Sequence, residues 1–251
     1  MVEKLRLKIT LERDTLVLPL AHKHILQGVI YNMLPKEKEG KFYHDQGYQI
    51  GDKKYKMFTF SSLFGHYTID RQQKMIIFDG RMQFYISALD ENFLQMIYHN
   101  LEMNRFLSIY GQNVQVTGVD IEELKYFKGE RDLIIQTLSP VTAYITEGNY
   151  TTYYKPNDEL FETLIINNLK HKCEAYQYPI DQIQFHIKNV YYQKKTMDKF
   201  KNCFYEAYLT KMKVHTNYDT LALIYNTGLS NKNSCGFGMI NVKNEKNSLS
   251  V

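Results

Sequence analysis

The order of the hydrophobic patterns along the chain most limits what this sequence can fold into. Residues 4–12 alternate between apolar and polar side chains, which predicts a half-buried strand with Arg6 on its polar face. Residues 21–34 then change to a period near four, and this predicts a helix that Pro35 ends. Strand-like segments follow at residues 57–64, 73–79 and 81–88. A second helix is predicted at residues 90–101 and another strand at residues 112–121. With a turn expected at Asp79-Gly80, this half is interpreted as βαββαβ.

The second half of the chain repeats this order of elements without repeating the residues. Strand patterns lie at residues 132–138, 181–192, 200–215 and 237–243, and helix patterns lie at residues 157–172 and 217–228. The prediction is an α+β chain of two tandem ferredoxin-like (RRM-like, βαββαβ) domains with a C-terminal Gly-rich loop. The charged and unpatterned stretch EELKYFKGE separates them, which gives an N-terminal domain at 1–125 and a C-terminal domain at 126–251.

Composition narrows the classes of function. A hydrophobic content of 44% can fill a globular core, and a net charge of +4 permits a polyanionic partner. Three scattered cysteines fit a reducing compartment, and no apolar run reaches membrane-spanning length, so a soluble cytoplasmic protein without a membrane partner is expected. Neither zinc-ligand spacing nor a paired carboxylate motif is visible in the sequence, so no metal and no cofactor are predicted.

The stretch GLSNKNSCGFGMINV, residues 228–242, places three of the 13 glycines around a polar segment. Glycine tolerates positive φ and lets another backbone come close. Two interpretations stay open: a tight turn that stops a helix and enters a strand, or a loop whose amides face phosphates.

Basic residues interleaved with tyrosines mark the pair of strands before this loop. Lys211, Lys213 and His215 share one strand face, and the preceding stretch KNVYYQKKTMDKFK adds more lysines beside Tyr191 and Tyr192. Such a surface suits an RNA hairpin or a single-stranded flank. An ordinary edge hairpin, protected by its lysines from unwanted strand pairing, has the same pattern.

Three stretches occur in order: LPLAHKHILQGVIYNML, QTLSPV and GLSNKNSCGFGMINV. Together with the tandem βαββαβ order, they resemble the CRISPR repeat-cleaving endoribonucleases, the Cas6 family of the RAMP superfamily. The resemblance implies two ferredoxin-like domains and metal-independent cleavage of CRISPR repeat RNA (pre-crRNA) into guide RNAs (crRNA). Other Cas proteins of an effector complex and a second copy of the chain are further partners that it implies. The family's loop opens with Gly, apolar, Gly, whereas this chain has Gly228-Leu229-Ser230.

The family's reaction implies three catalytic positions here. The RNA 2′-hydroxyl attacks its own phosphodiester, leaving a 2′,3′-cyclic phosphate and a 5′-hydroxyl, so a base, an acid and a cation are needed. The matching residues are Tyr31 on the first helix, His44 just after it and Lys56 before the next strand. His44 is expected to be the general base, Tyr31 to protonate the leaving group or position the phosphate, and Lys56 to stabilise the phosphorane. Lys53 and Lys54 compete with Lys56 for that position.

RNA contacts are expected from the basic strand and from the Gly-rich loop. The predicted RNA-binding residues are Lys211, Lys213, Gly228, Ser230, Lys232, Asn233, Gly236, Phe237 and Gly238. Two alternatives to the nuclease stay open. One is a non-catalytic RNA-binding RAMP subunit of a CRISPR ribonucleoprotein. The other is a small-molecule enzyme on a doubled ferredoxin-like fold, for which no cofactor motif is visible.

Overall fold

An antiparallel sheet with helices packed on it forms the N-terminal half, residues 5–123. The computed structural model describes residues 5–179 and 182–243. The elements of this half are β1 (Leu5–Pro19), α1 (Lys23–Asn32), α2 (Lys38–Lys41), a π-helical turn (Phe42–Gln46), β2 (Tyr48–Ile50), β3 (Lys53–Tyr55), β4 (Phe58–Phe60), β5 (Phe64–Asp70), β6 (Met75–Ala88), α3 (Glu91–Met103), β7 (Phe106–Ile109) and β8 (Gln112–Glu123). The strand order is β4-β6-β1-β8-β7, and β5 also pairs with β6. Strands β2 and β3 form a separate ribbon.

A second antiparallel sheet organises the C-terminal half, residues 130–243. Its elements are β9 (Glu130–Thr137), β10 (Tyr144–Glu147), β11 (Tyr150–Tyr153), α4 (Glu159–Tyr176), β12 (Phe185–Phe200), β13 (Cys203–Asn217), α5 (Tyr218–Thr227), a 3₁₀ turn (Asn233–Cys235) and β14 (Ile240–Lys243). The strand order is β12-β13-β9-β14, and β10 pairs with β11 as a small hairpin. No helix in the part of the chain that the structure describes is long and apolar enough to cross a membrane.

Local sequence explains where two of the helices begin. Helix α3 begins after Asp90, whose carboxylate accepts a hydrogen bond from the Asn92 amide at 3.0 Å. Helix α5 begins after Asn217, whose side-chain oxygen accepts from the Thr220 amide at 2.9 Å. Both side chains satisfy amides that have no partner inside the helix. The predicted starts of these two helices are therefore confirmed.

The predicted turn at Asp79-Gly80 is wrong, because residues 75–88 form one continuous strand. Gly80 has a φ of 70° and lies opposite Arg13, where the pairing of β1 with β6 shifts register. The chain reverses instead after Asp70, whose carboxylate accepts from the Gln73 amide. An Asp-Gly pair supplies positive φ for a bulge as readily as for a turn, so the dipeptide did not distinguish them.

The polar face of β1 is more buried than the prediction of a half-buried strand implied: Lys8 stays partly exposed, but Arg6 and Thr10 do not. Arg6 is completely buried and Thr10 nearly so. The Arg6 guanidinium donates to the Ile240 carbonyl at 2.7 Å and lies 3.8 Å from the centre of the Tyr225 ring. Burial lowers the pKa of Arg6, yet arginine keeps its proton in proteins. A charged contact thus joins the two halves. Lys4, expected on the same face, lies outside the described residues.

The long β12–β13 hairpin also joins the halves, because its tip reaches α1. Phe200 packs edge-on against His24, with ring centroids 6.5 Å apart. Asp198 lies 3.5 Å from the ammonium of Lys23, which also donates to the Gly236 carbonyl at 3.1 Å. Helix α1 is therefore held by both the hairpin and the Gly-rich loop.

Candidate active site

Tyr31, His44 and Lys56 lie together in the structure. Tyr31 is in the last turn of α1, His44 is on the π-helical turn, and Lys56 lies between β3 and β4. The Tyr31 and His44 rings meet edge-on with centroids 4.5 Å apart. The Lys56 ammonium donates to the His44 carbonyl at 2.8 Å. The fold thus brings a proton acceptor, a phenol and a cation to one place.

The exposed His44 imidazole has a carboxylate partner that sequence reasoning missed. Its Nδ1 lies 2.5 Å from the Asp45 carboxylate. The hydrogen bond to His44 is the main cause that lowers the pKa of Asp45, so this carboxylate is ionised at neutral pH. Because an ionised carboxylate only accepts, Nδ1 carries the proton, and in the neutral imidazole this tautomer leaves the lone pair of Nε2 free. The signal in the sequence was the Asp that directly follows His44 in FYHDQ.

Tyr31 is placed to donate a proton rather than to accept one. It packs between His44 and the Phe58 ring, which lies 5.7 Å away edge-on. Burial raises the pKa of Tyr31 above the ordinary phenol value, with smaller contributions from Cys235 and Asp45. The phenol therefore stays protonated at neutral pH.

Gly47 explains how Lys56 comes so close to the π-helical turn. Its φ is 68°, and a Cβ at this position would lie 2.6 Å from the Tyr55 carbonyl and 3.0 Å from the Lys56 side chain. Burial lowers the pKa of the half-buried Lys56 ammonium, and nearby Asp45 opposes that shift. Lys53 and Lys54 are exposed on β3. We call residues 42–56, which carry these groups, the His44 segment.

A basic cleft of about 700 Å³ opens beside this cluster, between the two halves. It is lined by Lys53, Lys54, Tyr55, Lys56, Met57, Phe58, Tyr144, Thr146, Leu164, Asn167, Asn168, His171, Lys172, Thr227, Asn231, Lys232, Asn233, Ser234 and Cys235. Five of these described lining residues are lysines and none is Asp or Glu. An anionic ligand is therefore favoured over a cationic one.

The Gly-rich loop, residues 228–238, packs tightly on itself and on β4. Gly228, Gly236 and Gly238 all have φ between 74° and 84°. A Cβ at Gly236 would lie 2.7 Å from the Phe60 ring, and one at Gly238 would lie 2.1 Å from the Leu229 carbonyl. The loop therefore needs these glycines for packing within the protein, whatever else it binds.

Two buried lysines that sequence reasoning missed anchor this loop. Lys172 of α4 donates to the Gly228 carbonyl and to the Asn233 side chain, both at 2.7 Å. Lys23 of α1 holds the Gly236 carbonyl. Burial lowers the pKa of Lys172 to about 7. Each lysine comes from a helix far from the loop in sequence, so local pattern gave no signal for either contact.

Most of the loop residues predicted to bind RNA are buried. Ser230 and Phe237 have no exposed side-chain surface, and the Asn233 amide donates to the Leu229 and Phe237 carbonyls. The hydroxyl of Ser230, a predicted RNA-binding residue, is therefore not presented to a phosphate in this conformation. Lys232 is exposed at the cleft, with its ammonium 5.5 Å from the centre of the Tyr205 ring. RNA contact by the loop stays a prediction.

The predicted basic face of β13 is partly neutralised. Lys211 and Lys213 are half-buried and alternate with buried Met212 and Val214, as their pattern indicated. Lys213 lies 3.3 Å from Asp132 of the neighbouring strand β9. The next residue on this face, His215, contacts Asp132 at 2.8 Å and Glu130 at 3.0 Å. These carboxylates reduce the positive charge of the face, so RNA binding by Lys211 and Lys213 stays a prediction.

Metal-ligating side chains do not cluster in the described part of the chain. Among residues 5–179 and 182–243, no three His, Cys, Asp or Glu side chains are grouped so that they could hold a metal ion.

Solved structures with the same fold are described as Cas6, Cas6-related or RAMP proteins. One, described as a CRISPR associated protein Cas6, has a TM-score of 0.76 at 24% identity and covers 96% of this chain and 100% of its own. Another, a Cas6-related protein from Pyrococcus furiosus, has a TM-score of 0.78 at 21% identity, with 97% and 100% coverage. A third, described as an RAMP protein binding different RNA substrates, has a TM-score of 0.75 at 20% identity, with 96% and 100% coverage. These likenesses establish a mixed α/β fold with antiparallel sheets.

Sequence comparison then gives the family. Residues 17–120 match the description "CRISPR-associated protein Cas6, N-terminal", and residues 121–242 match "CRISPR associated protein Cas6, C-terminal". The chain is 30% identical to the CRISPR-associated endoribonuclease Cas6 1 of Methanocaldococcus jannaschii over 98% of this chain and 97% of that relative. It is 24% identical to the CRISPR-associated endoribonuclease Cas6 of Pyrococcus furiosus, over 91% of this chain and 84% of that one. The chain belongs to the Cas6 family.

Proposed function

We propose that this protein is an endoribonuclease that cleaves CRISPR repeat RNA (pre-crRNA) into guide RNAs. The observation that carries the proposal is the meeting of Tyr31, His44 and Lys56 beside a cleft lined by lysines. Family membership supports it, because the relative at 30% identity is a CRISPR-associated endoribonuclease.

The proposed reaction uses the chain's own side chains for each proton. His44 Nε2 takes the proton of the RNA 2′-hydroxyl, and the 2′-oxygen attacks the adjacent phosphorus. The bond from phosphorus to the 5′-oxygen breaks, which leaves a 2′,3′-cyclic phosphate and a 5′-hydroxyl. Tyr31 either gives the leaving oxygen its proton or positions the scissile phosphate, in which case the protonated His44 gives the leaving oxygen the proton it took from the 2′-hydroxyl. The Lys56 ammonium stabilises the charge that develops on the phosphorane.

We further propose that the two halves are tandem ferredoxin-like domains, 1–125 and 126–251. Strand order supports this proposal. If β1, β4, β6 and β8 are the four strands of one βαββαβ unit, they are adjacent as β4-β6-β1-β8. The corresponding strands of the second unit, β9, β12, β13 and β14, are adjacent as β12-β13-β9-β14, which is the same order.

The cleft is the proposed path of the RNA. Its lysines can neutralise phosphates, and its C-terminal wall carries Tyr144, whose ring centroid lies 6.3 Å from that of Tyr205. Tyrosine faces next to lysines suit unpaired RNA, because bases stack on the rings while phosphates meet the cations. A strand lying in this cleft would pass the cluster of Tyr31, His44 and Lys56.

One observation favours a non-catalytic RNA-binding subunit instead. The Lys56 ammonium is already engaged by the His44 carbonyl, a contact that could serve only to hold the His44 segment. Such a subunit would keep the basic cleft and the Gly-rich loop while cutting nothing.

Cleavage of a synthetic RNA with the source organism's CRISPR repeat, in EDTA, separates these functions. A matched RNA carries a 2′-deoxy group just upstream of the cut. We expect the plain RNA to be cut at one site and the deoxy RNA to be bound but intact. Binding of both RNAs with no cleavage would favour the subunit, and cleavage of the deoxy RNA would overturn the 2′-hydroxyl mechanism.

A further inference from the structure

One carboxylate, Asp90, holds two tyrosines of the His44 segment. The hydroxyl of Tyr43 donates to Asp90 Oδ2 at 2.6 Å, and the hydroxyl of Tyr48 donates to the same oxygen at 2.7 Å. Tyr43 immediately precedes His44, and Tyr48 follows Gly47 at the start of β2. The two contacts therefore bracket the turn that carries His44.

The two oxygens of Asp90 have different partners. Oδ1 accepts from the Asn92 amide and so caps helix α3. Capping needs a single acceptor, and Asn serves as well as Asp in that position. The second oxygen serves the His44 segment, so the role of Asp90 is larger than the start of a helix.

The tyrosine rings are fixed against the body of the protein. The buried Tyr43 ring packs on Phe93 of α3 at 5.1 Å between centroids, and the Tyr48 ring packs on Tyr176 of α4 at 4.7 Å. Burial, together with the hydrogen bonds to Asp90, raises the pKa of both tyrosines, so each hydroxyl remains a donor. The segment is otherwise built from short elements, which are weakly stable by themselves, and from the hydrogen bond of Lys56 to the His44 carbonyl.

We infer that Asp90 is a positioning residue for His44, acting through Tyr43 and Tyr48. The inference rests on the proposed function, because it takes His44 as the general base. A shared acceptor at Asp90 fixes both sides of the turn, and a base must be held within hydrogen-bond reach of the 2′-hydroxyl.

The first test is Asp90→Asn in the full chain, with single-turnover cleavage of the synthetic repeat RNA. Asn keeps the helix cap but places an amide donor where two hydroxyl donors need an acceptor. We expect cleavage to slow by roughly 10- to 100-fold while the Kd for RNA changes by less than about twofold. Tyr43→Phe and Tyr48→Phe keep the rings and remove one hydroxyl each, so each should have a smaller effect of the same kind.

A double-mutant cycle with His44→Ala identifies the route of the effect. If Asp90 acts through His44, Asp90→Asn slows the wild-type protein but not the protein that already carries His44→Ala. An equal slowing in both backgrounds overturns the inference. The inference also fails if Asp90→Asn cleaves at the wild-type rate while His44→Ala cleaves slowly. If His44→Ala itself cuts at the wild-type rate, the proposed base is wrong and the inference falls with it.

A matched variant separates positioning from loss of stability. Asn217→Ala removes the side-chain cap of α5, which lies outside the His44 segment. We expect it to lower the Tm at least as much as Asp90→Asn does and to leave the cleavage rate unchanged. If Asn217→Ala slows cleavage as much as Asp90→Asn does at an equal loss of Tm, the rate follows stability and the inference is overturned.

Discussion

The His44 segment and the Gly-rich loop look alike as sequence and differ as structure. Both are polar, contain glycine and connect better-patterned elements. In the structure His44 and Asp45 are exposed, whereas Ser230 and Phe237 are completely buried. The His44 segment presents reactive groups on a turn that Asp90 holds, and the Gly-rich loop is fixed by buried lysines and exposes Lys232.

The comparison shows what a glycine in a sequence does and does not indicate. At Gly47 the group that comes close is the Tyr55 carbonyl, and at Gly236 it is the Phe60 ring. In both places the glycine permits close approach, but the sequence does not state whether protein or ligand approaches. The function of such a loop depends on the side chains that remain exposed.

The largest expected effect on the cleavage rate comes from a substitution in the His44 segment. His44→Ala should slow single-turnover cleavage by roughly 10²- to 10⁴-fold, because the general base is lost, while the RNA Kd stays nearly constant. His66→Ala, at an exposed position on β5, is the matched control and should cut normally. Equal rates for the two variants would refute His44 as the base.

Lys56→Ala should have the next largest effect on cleavage. Loss of one stabilising donor in the transition state typically costs about 10²-fold in rate, and the effect on RNA binding should be smaller. Lys54→Ala removes the same charge from an exposed site on β3. If Lys54→Ala shows the larger loss of rate, the stabilising lysine is Lys54 and the assignment moves by two residues.

Gly238→Ala tests whether the Gly-rich loop is structural. A methyl there would lie 2.1 Å from the Leu229 carbonyl at a φ of 74°, so overpacking and a strained backbone both destabilise the protein. We expect the free energy of unfolding to fall by about 2–4 kcal/mol. Gly111→Ala has a similar φ of 72° with open space around it, so it isolates the backbone cost. If the two variants lose similar free energies of unfolding in urea, close packing around Gly238 does not contribute to the loss.

The anchor of the Gly-rich loop should make stability depend on pH. Burial lowers the pKa of Lys172 from the ordinary 10.5 to about 7. Between these values the unfolded chain binds more protons than the folded one, so the free energy of unfolding should rise with pH, by at most about 1.4 kcal/mol per pH unit. Lys172→Met should remove this slope in urea unfolding at pH 7.5 and 9. A slope that persists in the variant would assign the titration to another group.

The smallest effect is expected at Lys232, the cation that the loop exposes. Lys232→Ala should weaken RNA binding a few-fold and reduce the slope of log K against log salt by roughly 0.7, the value for one phosphate on a single strand. Lys128→Ala removes an exposed lysine outside the cleft and should leave the slope unchanged. Equal slopes for both variants would leave the loop with a packing role alone.

What the sequence could predict depended on distance along the chain. Tyr31, His44 and Lys56 follow one another within one helix-to-strand connection, so pattern and resemblance together could place them side by side. The contacts of Arg6 with Ile240, Lys23 with Gly236 and His215 with Asp132 join residues far apart in the chain. Hydrophobic periodicity describes one element at a time, so it gave no means of predicting these contacts or the burial of Arg6 and Thr10 on β1.

The long-range contacts of Arg6 and Lys23 also set the order of events during synthesis. Both cations emerge from the ribosome long before Gly236 and Ile240, whose carbonyls they bind. A buried cation without its acceptor is strongly unfavourable, so Arg6 and Lys23 reach their buried, paired state only after Ile240 and Gly236 have been made. A chain that stopped before the Gly-rich loop would carry His44 without the Lys232 side of the basic cleft.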